Sequence, residues 1–234
     1  MSSSVVHLKE MGLTRWVFTT SDKSQIPEPI TKGTGDGLGL QELSDSKWVE
    51  LQNRVSDCQL CSLHGSRHNT VFGTGNPKAH WMLVGEAPGA EEDRQGQPFV
   101  GRAGQLLSAM LFSLNLSRHT VFIGNVLKCR PPDNRDPLGD EVRQCAPFLH
   151  EQIRSIQPRI ILAMGRFAAQ ALLQADQSIA QLRGRVHCYP INDTPLVVTY
   201  HPAYLLRSPQ AKAKTWEDLQ RARAHYVGQV CGDQ

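Results

Sequence analysis

Cysteine is the residue type whose spacing in this sequence most clearly suggests chemistry. The chain has six cysteines, and its first residues lack the apolar stretch of an export signal, so a disulfide framework is not expected. Spacing assigns no partner to Cys188 or Cys231, which are predicted to be free thiols. Metal binding is predicted for the other four. They are Cys58 and Cys61 in one turn, Cys129 in the segment KCRPP, and Cys145 on a predicted helix.

The cysteine spacing leaves two questions open. It does not separate zinc from a [4Fe-4S] cluster, since both are held by four thiolates. It also leaves a second interpretation for Cys145, which falls on the apolar stripe of its helix and would serve equally well as a core thiol.

Polar side chains occur where apolar segments end. Four short apolar runs, at residues 80–85, 120–125, 159–164 and 196–200, predict buried strands. Three of the four loops that follow carry unusual polar residues, among them Glu86, Asn125 and His201. Ligands of open α/β sheets bind beyond the carboxyl ends of the strands. A histidine at such an end is well placed for chemistry, although lone histidines are more often structural.

Basic residues are unevenly distributed along the chain. The net charge of +3 is too small to indicate nucleic acid by itself. Between residues 102 and 135, however, the sequence has five basic residues and one acidic residue, Asp133. Such a cluster would form a phosphate-binding face. On charge alone, the solvated surface of an ordinary enzyme is the better interpretation.

The elements that must position these residues alternate along the chain. Apolar stripes at helical spacing run from Leu106 to Leu114 and from Val142 to Ile156, and a last helix is predicted at residues 213–226. Strands that alternate with helices form βαβ units. The sequence therefore predicts an α/β protein, a three-layer α/β/α sandwich with a central four-stranded mostly parallel sheet.

The first part of the chain differs in composition from the rest. Residues 21–42 are rich in Gly, Pro, Ser and Thr and lack periodicity, which predicts a flexible extension over residues 1–42. A helix capped by Ser44 or Asp45 would begin the folded domain, residues 43–230. No apolar run is long enough to span a bilayer, and without an export signal the chain is expected to be cytoplasmic.

Four motifs in a fixed order connect these observations. They are GEAPG from Gly85, PFVGRAGQLL from Pro98, NVLKCRPPDNR from Asn125 and HPAYLLR from His201. Together with the four cysteines they resemble the family 4 uracil-DNA glycosylases, over residues 58–207. The resemblance implies an enzyme that flips uracil out of DNA and hydrolyses its N-glycosidic bond, which begins base excision repair. It also implies a structural [4Fe-4S] cluster, rather than zinc, on Cys58, Cys61, Cys129 and Cys145.

The resemblance assigns the residues that bind the base. Asn125 would donate to uracil O4 and accept from N3–H, a pattern that cytosine does not satisfy. Phe99 would stack on the flipped base, and His201 would donate to O2 as negative charge develops there. Gly85 and Ala87 would line the pocket. The structural alternatives are a strand-end cap for Asn125 and a core position for Phe99.

Three side chains are candidates for directing the attacking water. Family 1 glycosylases carry an aspartate in their GQDPY motif, and Ala87 stands at that position here. Glu86 would polarise the water instead, or Glu92 would do so with Asn134, which resemble the acid and amide of family 4. The two glutamates rank nearly equally. A carboxylate would also stabilise the positive sugar of a dissociative transition state.

DNA contacts are predicted after the second and fourth strands. A leucine after His201 would wedge into the duplex in place of the flipped nucleotide, and basic side chains would hold phosphates. The partner is uracil-containing DNA, single- or double-stranded. A monomer is expected, since one domain with an exposed DNA face needs no symmetric partner. The predicted DNA-binding residues are Lys128, Arg130, Arg135, Leu205, Leu206 and Arg207.

Three other functions fit parts of the pattern. A relative that traps DNA covalently would carry a histidine in an inserted loop, and residues 125–137 contain none. A zinc hydrolase of small nucleotides would not need the leucines or the basic loops. The main alternative is a non-catalytic iron–sulfur DNA-binding module of the same fold. Against it, the candidate catalytic and base-reading residues are all present, namely Glu86, Glu92, Asn125 and His201.

Overall fold

The structure, a computed structural model, describes residues 37–228 of the 234-residue chain, with side chains from residue 46 onward. The predicted extension, residues 1–42, falls largely outside this part. The predicted domain, residues 43–230, extends beyond it by its last residues, so both boundaries stay predictions. Among the described helices, none is long and apolar enough to cross a membrane.

The first described helix, α1 (Gly37–Ser56), begins earlier than the sequence predicts. Ser44 and Asp45, the predicted caps, lie inside it. Either residue costs less than about 0.7 kcal/mol in a helix interior relative to alanine, so neither forces a helix to begin. A 3-10 turn (Ser62–Gly65) follows, directly after the CxxC segment that starts at Cys58.

One mixed sheet forms the centre of the described structure. Its strands are β1 (Thr74–Gly75), β2 (Trp81–Gly85), β3 (Phe122–Asn125), β4 (Ile160–Met164), β5 (Val186–Cys188) and β6 (Pro195–Thr199). The six described strands lie in the order β1-β3-β2-β4-β6-β5. The four predicted strands, β3, β2, β4 and β6, pair in parallel. The antiparallel edge strands β1 and β5 are not predicted, because two or three residues are too few to show a strand period.

Helices cover both faces of the sheet. They are α2 (Ala90–Gln95), α3 (Arg102–Ser113), α4 (Gly139–Ile156), α5 (Arg166–Leu173), α6 (Ile179–Leu182), α7 (Pro202–Arg207) and α8 (Lys212–Gly228). Met82 and Val84 of β2 pack in one core with residues of α4 and α5. Trp81 and Leu83 pack in a second core with residues of α3 and α8. The three-layer α/β/α sandwich is confirmed, and the helices predicted between and after the strands correspond to α3, α4 and α8.

A third buried cluster joins α1 to α4 and to the loop after β3. Leu51 and Val55 of α1 pack there with Leu127 and with Phe148 of α4. This apolar packing gathers the predicted ligands from three separate parts of the chain. They are Cys58, Cys61, Cys129 and Cys145.

One prediction about the cysteines is wrong. The sequence predicts a free thiol at Cys188, on the edge strand β5, and the structure has this cysteine in a disulfide. The formation of a disulfide depends on the distance between two residues in space, which spacing along the chain does not give. The same prediction for Cys231 lies outside the described residues.

Candidate active site

Loops at the carboxyl ends of the parallel strands surround a cleft of about 850 Å³. Its walls come from the loops after β2, β3, β4 and β6 and from the start of α3. This is the place where open α/β sheets bind ligands. Nine of the fourteen predicted catalytic, base-binding and DNA-binding residues line it, namely Glu86, Ala87, Glu92, Phe99, Asn125, Asn134, Arg135, His201 and Arg207.

Asn125 brings an unused acceptor to this cleft. It ends β3, beside Gly85 at the end of β2, and only 2% of the residue is exposed. Its Oδ1 has no hydrogen-bond partner within the part of the chain that the structure describes. A buried polar atom without a partner costs about 1–3 kcal/mol. The arrangement is therefore suited to a donor that arrives with a ligand.

Gly85 leaves space between Asn125 and Phe99. A Cβ atom at this position would lie 2.4 Å from Asn125 Oδ1 and 2.7 Å from Phe99 Cζ. Any side chain here would therefore displace one of these groups. The rings of Phe99 and His201 lie 5.5 Å apart between centroids, with their planes inclined by 31°. Amide, phenyl ring and imidazole thus lie together in the cleft.

The backbone of Phe99 is in the left-handed region, with φ at 55°. For a residue other than glycine this conformation costs about 1–3 kcal/mol, and it persists only where surrounding contacts maintain it. Gly104 leaves room for the Phe99 carbonyl, since a Cβ there would lie 1.7 Å from that oxygen. Arg118 donates hydrogen bonds to the carbonyls of Pro98 and Phe99. Contacts outside the cleft therefore hold the ring inside it.

His201 is neutral, and a backbone contact selects its tautomer. Its Nδ1 accepts a hydrogen bond from the Ala203 N–H at 3.2 Å, in the first turn of α7. The ring proton therefore lies on Nε2. Burial, and after it the charge of Arg207, lowers the pKa of His201 to about 4, while Glu92 acts in the opposite direction. At neutral pH the side chain is a neutral donor through Nε2.

Glu86 is a carboxyl group that loses its proton at a higher pH than an ordinary glutamate. Burial, followed by the negative charge of Asp136, raises the pKa of Glu86 to about 7, and Arg166 acts in the opposite direction. A group with a pKa near 7 both takes up and releases protons at neutral pH. Glu86 and its neighbour Ala87 both line the cleft.

Glu92 and Asn134 reach the cleft from different elements, helix α2 and the segment after β3. Glu92 Oε1 accepts hydrogen bonds from the backbone amides of Val100 (2.9 Å) and Gly101 (3.3 Å), just before α3. Asn134 lies in the loop after β3, and its Oδ1 accepts from Arg130 Nε at 2.8 Å. Glu92 therefore has a positioning contact in addition to its place in the cleft.

The prediction that Lys128 binds DNA phosphate has to be corrected. The residue is only 1% exposed, and its Nζ donates to the backbone oxygen of Asn125 and to Gln152 Oε1, each at 2.7 Å. Burial lowers the pKa of Lys128 to about 8. The sequence shows a lysine in a basic segment, whereas the acceptors that allow its burial come from the folded arrangement of β3 and α4.

The other predicted cations differ in how available they are. Arg207 is exposed and lines the cleft. Arg135 also lines the cleft, but it forms an ion pair with Glu141 at 2.6 Å. Arg130 is partly exposed and donates to Asn134. Of the three, only Arg207 is unengaged by any hydrogen bond or ion pair with another side chain in the described structure.

The two leucines after His201 differ in burial. Leu205 is 1% exposed and belongs to the core formed with α3 and α8, so the prediction that it contacts DNA has to be corrected. Leu206 is 38% exposed. Next to them, Tyr204 is 40% exposed, and its ring stacks on Tyr200 at 5.0 Å between centroids. Of the two leucines, only Leu206 is exposed enough to contact another molecule.

The four predicted ligand cysteines line one cavity. A guanidinium nitrogen of Arg67 donates to Cys129 Sγ at 3.1 Å, and the backbone N–H of Lys128 donates to Cys145 Sγ at 3.3 Å. Burial raises the pKa of Cys145 to about 11, a shift that a bound cation would oppose. Within the described residues, no group of three His, Cys, Asp or Glu side chains is arranged to hold a single metal ion.

Several residues around the cleft belong to no motif. Asp136 and Arg166 form an ion pair at 3.3 Å, and both line the cleft. The guanidinium of Arg166 lies 4.4 Å from the ring centroid of Phe167. The sequence indicates a site role for Arg166 only through its position, because this residue follows the third predicted strand and the glycine after it. Arg118 carries no such signal, because its partners precede it by about twenty residues.

Comparison with known proteins matches residues 72–220 to the family model of the uracil DNA glycosylase superfamily. The chain is also similar to type-4 uracil-DNA glycosylases of three archaea. Identity is 40% with that of Archaeoglobus fulgidus, over 78% of this chain and 92% of the relative. The identity is 42% with the enzyme of Sulfurisphaera tokodaii, over 74% of this chain and 82% of the relative. The identity is 44% with the enzyme of Pyrobaculum aerophilum, over 73% of this chain and 90% of the relative.

Proposed function

The chain belongs to the uracil-DNA glycosylase superfamily and to its type-4 group, and on that premise we propose how its cleft holds a flipped uracil during hydrolysis. It is a DNA glycosylase, a hydrolase of N-glycosyl bonds. The products are free uracil and an abasic site, with which base excision repair begins. One observation carries the proposal: the unpaired Oδ1 of Asn125 shares a cleft with the rings of Phe99 and His201.

Asn125 is proposed to read the edge of the base. Its Oδ1 accepts from uracil N3–H, and its Nδ2 donates to O4. Cytosine presents an acceptor at N3 and a donor at N4, so it would meet both groups with the wrong polarity. Phe99 stacks on the face of the base, and the missing side chain at Gly85 lets ring and amide keep their positions. The pocket therefore selects a base by shape and polarity together.

His201 is proposed to stabilise the leaving group. When the bond between C1′ and N1 breaks, its electron pair passes to uracil, and part of the negative charge appears on O2. The Nε2–H of His201 donates to that oxygen. A neutral imidazole stabilises the anion by hydrogen bonding, without transferring its proton. The lowered pKa of His201, about 4, maintains this form at neutral pH.

Glu86 is proposed to direct the water. The water oxygen adds to C1′, and the proton that it loses passes to a carboxylate whose pKa lies near the working pH. Asn134 helps to orient the water from the segment that follows β3. Glu92 already uses one oxygen to hold the amides before α3, and its charge adds electrostatic stabilisation of the positive sugar.

The surface around the cleft is proposed to hold DNA that contains uracil. Leu206 fills the gap that the flipped nucleotide leaves in a duplex. Arg207, Arg130 and Arg135 bind phosphates on either side. A monomeric state and a cytoplasmic location stay predictions from the sequence.

The four ligand cysteines are proposed to hold a [4Fe-4S] cluster. Four thiolates are the ligand set that would hold such a cluster, and these four thiols line one cavity. Hydrogen bonds from Arg67 and from the Lys128 amide are of the kind that cluster sulfurs accept. The bound cluster would link the segment after α1, the loop after β3 and α4.

The test is excision from a labelled oligonucleotide that contains one uracil. Wild type, His201→Ala and Asn125→Ala are compared, and the visible spectrum of each is recorded. A brown wild type should release free uracil, and both variants should fold but be at least about 100-fold slower. A brown protein that binds the DNA without releasing uracil would instead support the non-catalytic DNA-binding module.

A further inference from the structure

Arg118 lies outside the cleft but contacts the backbone that carries Phe99. Its two terminal nitrogens donate to the carbonyl oxygens of Pro98 at 2.7 Å and of Phe99 at 3.1 Å. The side chain is partly buried, and burial lowers the pKa of its guanidinium while the charge of Glu92 acts in the opposite direction. A guanidinium whose terminal nitrogens both face backbone carbonyls is poorly placed to bind a phosphate.

Glu92 holds the chain on the other side of Phe99. Its Oε1 accepts from the amides of Val100 at 2.9 Å and Gly101 at 3.3 Å. A cation therefore binds the carbonyls at 98–99, and a carboxylate binds the amides at 100–101. Hydrogen bonds to charged groups are shorter and stronger than those between neutral groups. The two side chains together fix four consecutive residues.

Phe99 requires this support because of its conformation. Its φ of 55° is uncommon for any residue other than glycine. The space around it is also restricted, since a Cβ atom at Gly104 would meet its carbonyl and one at Gly85 would meet its ring. Strained residues of this kind persist where the surrounding structure over-determines them, and they cluster at ligand sites.

We propose that Arg118 is a positioning residue for uracil excision: with Glu92 it holds the backbone of Phe99, so that the ring occupies its stacking position before DNA binds. This inference rests on the proposed function and adds that the base pocket is preorganised from outside the cleft. A ring that is already in place loses no conformational freedom when the base arrives. Arg118 itself touches neither base nor phosphate.

The test is a double-mutant cycle between Arg118→Met and Phe99→Leu, measured as kcat/KM on DNA that contains uracil. Arg118→Met alone should lower kcat/KM about tenfold or more, and Arg118→Lys should lose less. In the Phe99→Leu background the same change should have an effect below about twofold, because no aromatic ring remains to be positioned. An equal loss in both backgrounds would overturn the proposal.

Arg54→Met is the matched control. Arg54 also donates two hydrogen bonds, at 2.8 and 3.0 Å, but to Glu151, and neither residue lines the cleft. Its kcat/KM should equal that of wild type. Thermal melts and visible spectra identify variants that fold. If Arg118→Met does not fold, the cycle is run with Arg118→Lys, whose ammonium lacks the planar fork that meets two carbonyls.

Salt dependence separates positioning from phosphate binding. Affinity for DNA of the same sequence without uracil is measured at several salt concentrations. Arg118→Met should keep the wild-type slope, whereas loss of a phosphate contact would reduce the slope by about 1 and refute the proposal. A wild type that excises no uracil would refute the proposed function instead. An active wild type with additive losses in the cycle would refute only the role of Arg118.

Discussion

At the scale of single residues, burial shifts the pKa values of Glu86 and His201 in opposite directions. It raises the pKa of the carboxyl group to about 7 and lowers the pKa of the imidazole to about 4, because in both cases it disfavours the charged form. Groups whose pKa values are separated in this way take different parts in a reaction. At neutral pH His201 is a fixed donor, and Glu86 exchanges its proton.

The rate of excision should therefore rise with pH through about 7, as Glu86 loses its proton. Asp136→Asn removes a negative charge that keeps the proton on Glu86, so the pKa should fall and the rise should move to lower pH. Arg166→Met removes a positive charge, so the rise should move to higher pH. The measurement is kcat/KM against pH for the three proteins. A rise at one common pH in all of them would contradict the assignment of Glu86.

Glu86 should also make stability depend on pH. Its folded pKa of about 7 lies above its ordinary value of 4.5, so its contribution to stability is fully present below 4.5 and is lost as pH rises through 7. Glu86→Gln does not ionise. Relative to wild type, this variant should gain stability between pH 4 and pH 8 while excision is impaired. Thermal melts at the two pH values measure the gain, and an unchanged difference would show that the carboxyl group is not shifted.

Gly85→Ala should remove excision and leave the binding of uracil-free DNA intact. The added Cβ would lie 2.4 Å from Asn125 Oδ1 and 2.7 Å from Phe99 Cζ, so it would displace the amide or the ring that is proposed to bind the base. Gly65→Ala is the control, since a Cβ there meets nothing within 4 Å. The measurements are kcat/KM and DNA affinity. A Gly85→Ala enzyme as active as the control would show that Asn125 and Phe99 do not bind the base in this arrangement.

At the scale of elements, one short segment carries both a proposed catalytic side chain and the proposed wedge. Helix α7 begins directly after His201, and the amide of Ala203 in its first turn orients the imidazole. Adjacent residues of a helix point in different directions. Leu205 therefore packs in the core while Leu206 faces outward.

Leu206→Ala should reduce excision from duplex DNA more than from single strands, because only a duplex leaves a gap to fill. Leu205→Ala should instead lower the free energy of unfolding by about 2–5 kcal/mol, since it leaves a cavity in the core. Its ratio of duplex to single-strand activity should be unchanged. Denaturant unfolding and assays on both substrates measure these effects. Equal losses on the two substrates for Leu206→Ala would exclude the wedge.

At the scale of the whole molecule, the four cysteines that are proposed to hold the cluster come from separate parts of the chain and line one cavity. Cys129→Ala should therefore lose visible absorbance and melt at a lower temperature, because metal binding contributes to folding free energy. Gln144→Ala is a control that lines the same cavity without a thiol, and it should keep both. Retained absorbance in Cys129→Ala would remove this cysteine from the ligand set.

The sequence by itself determined the architecture and the place of the site. Apolar runs and stripes are local patterns, so they predicted the four parallel strands and the helices α3, α4 and α8. Because the carboxyl ends of parallel strands meet at one edge, the position of Asn125 and His201 at strand ends predicted that they share a cleft. The ordered motifs gave the family, which the comparisons confirm.

Only the tertiary structure decided which side chains are exposed near the cleft and which are buried or support its walls. The sequence grouped Lys128 and Arg118 with the basic residues, and it did not separate Leu205 from Leu206. In the fold, Lys128 is enclosed by backbone and Gln152, Arg118 supports Phe99, and Leu205 is buried. The charge and hydropathy of a side chain are properties of that residue alone, so the sequence shows them directly. Exposure and hydrogen-bond partners depend on all the residues that pack around it, and these come from distant parts of the chain.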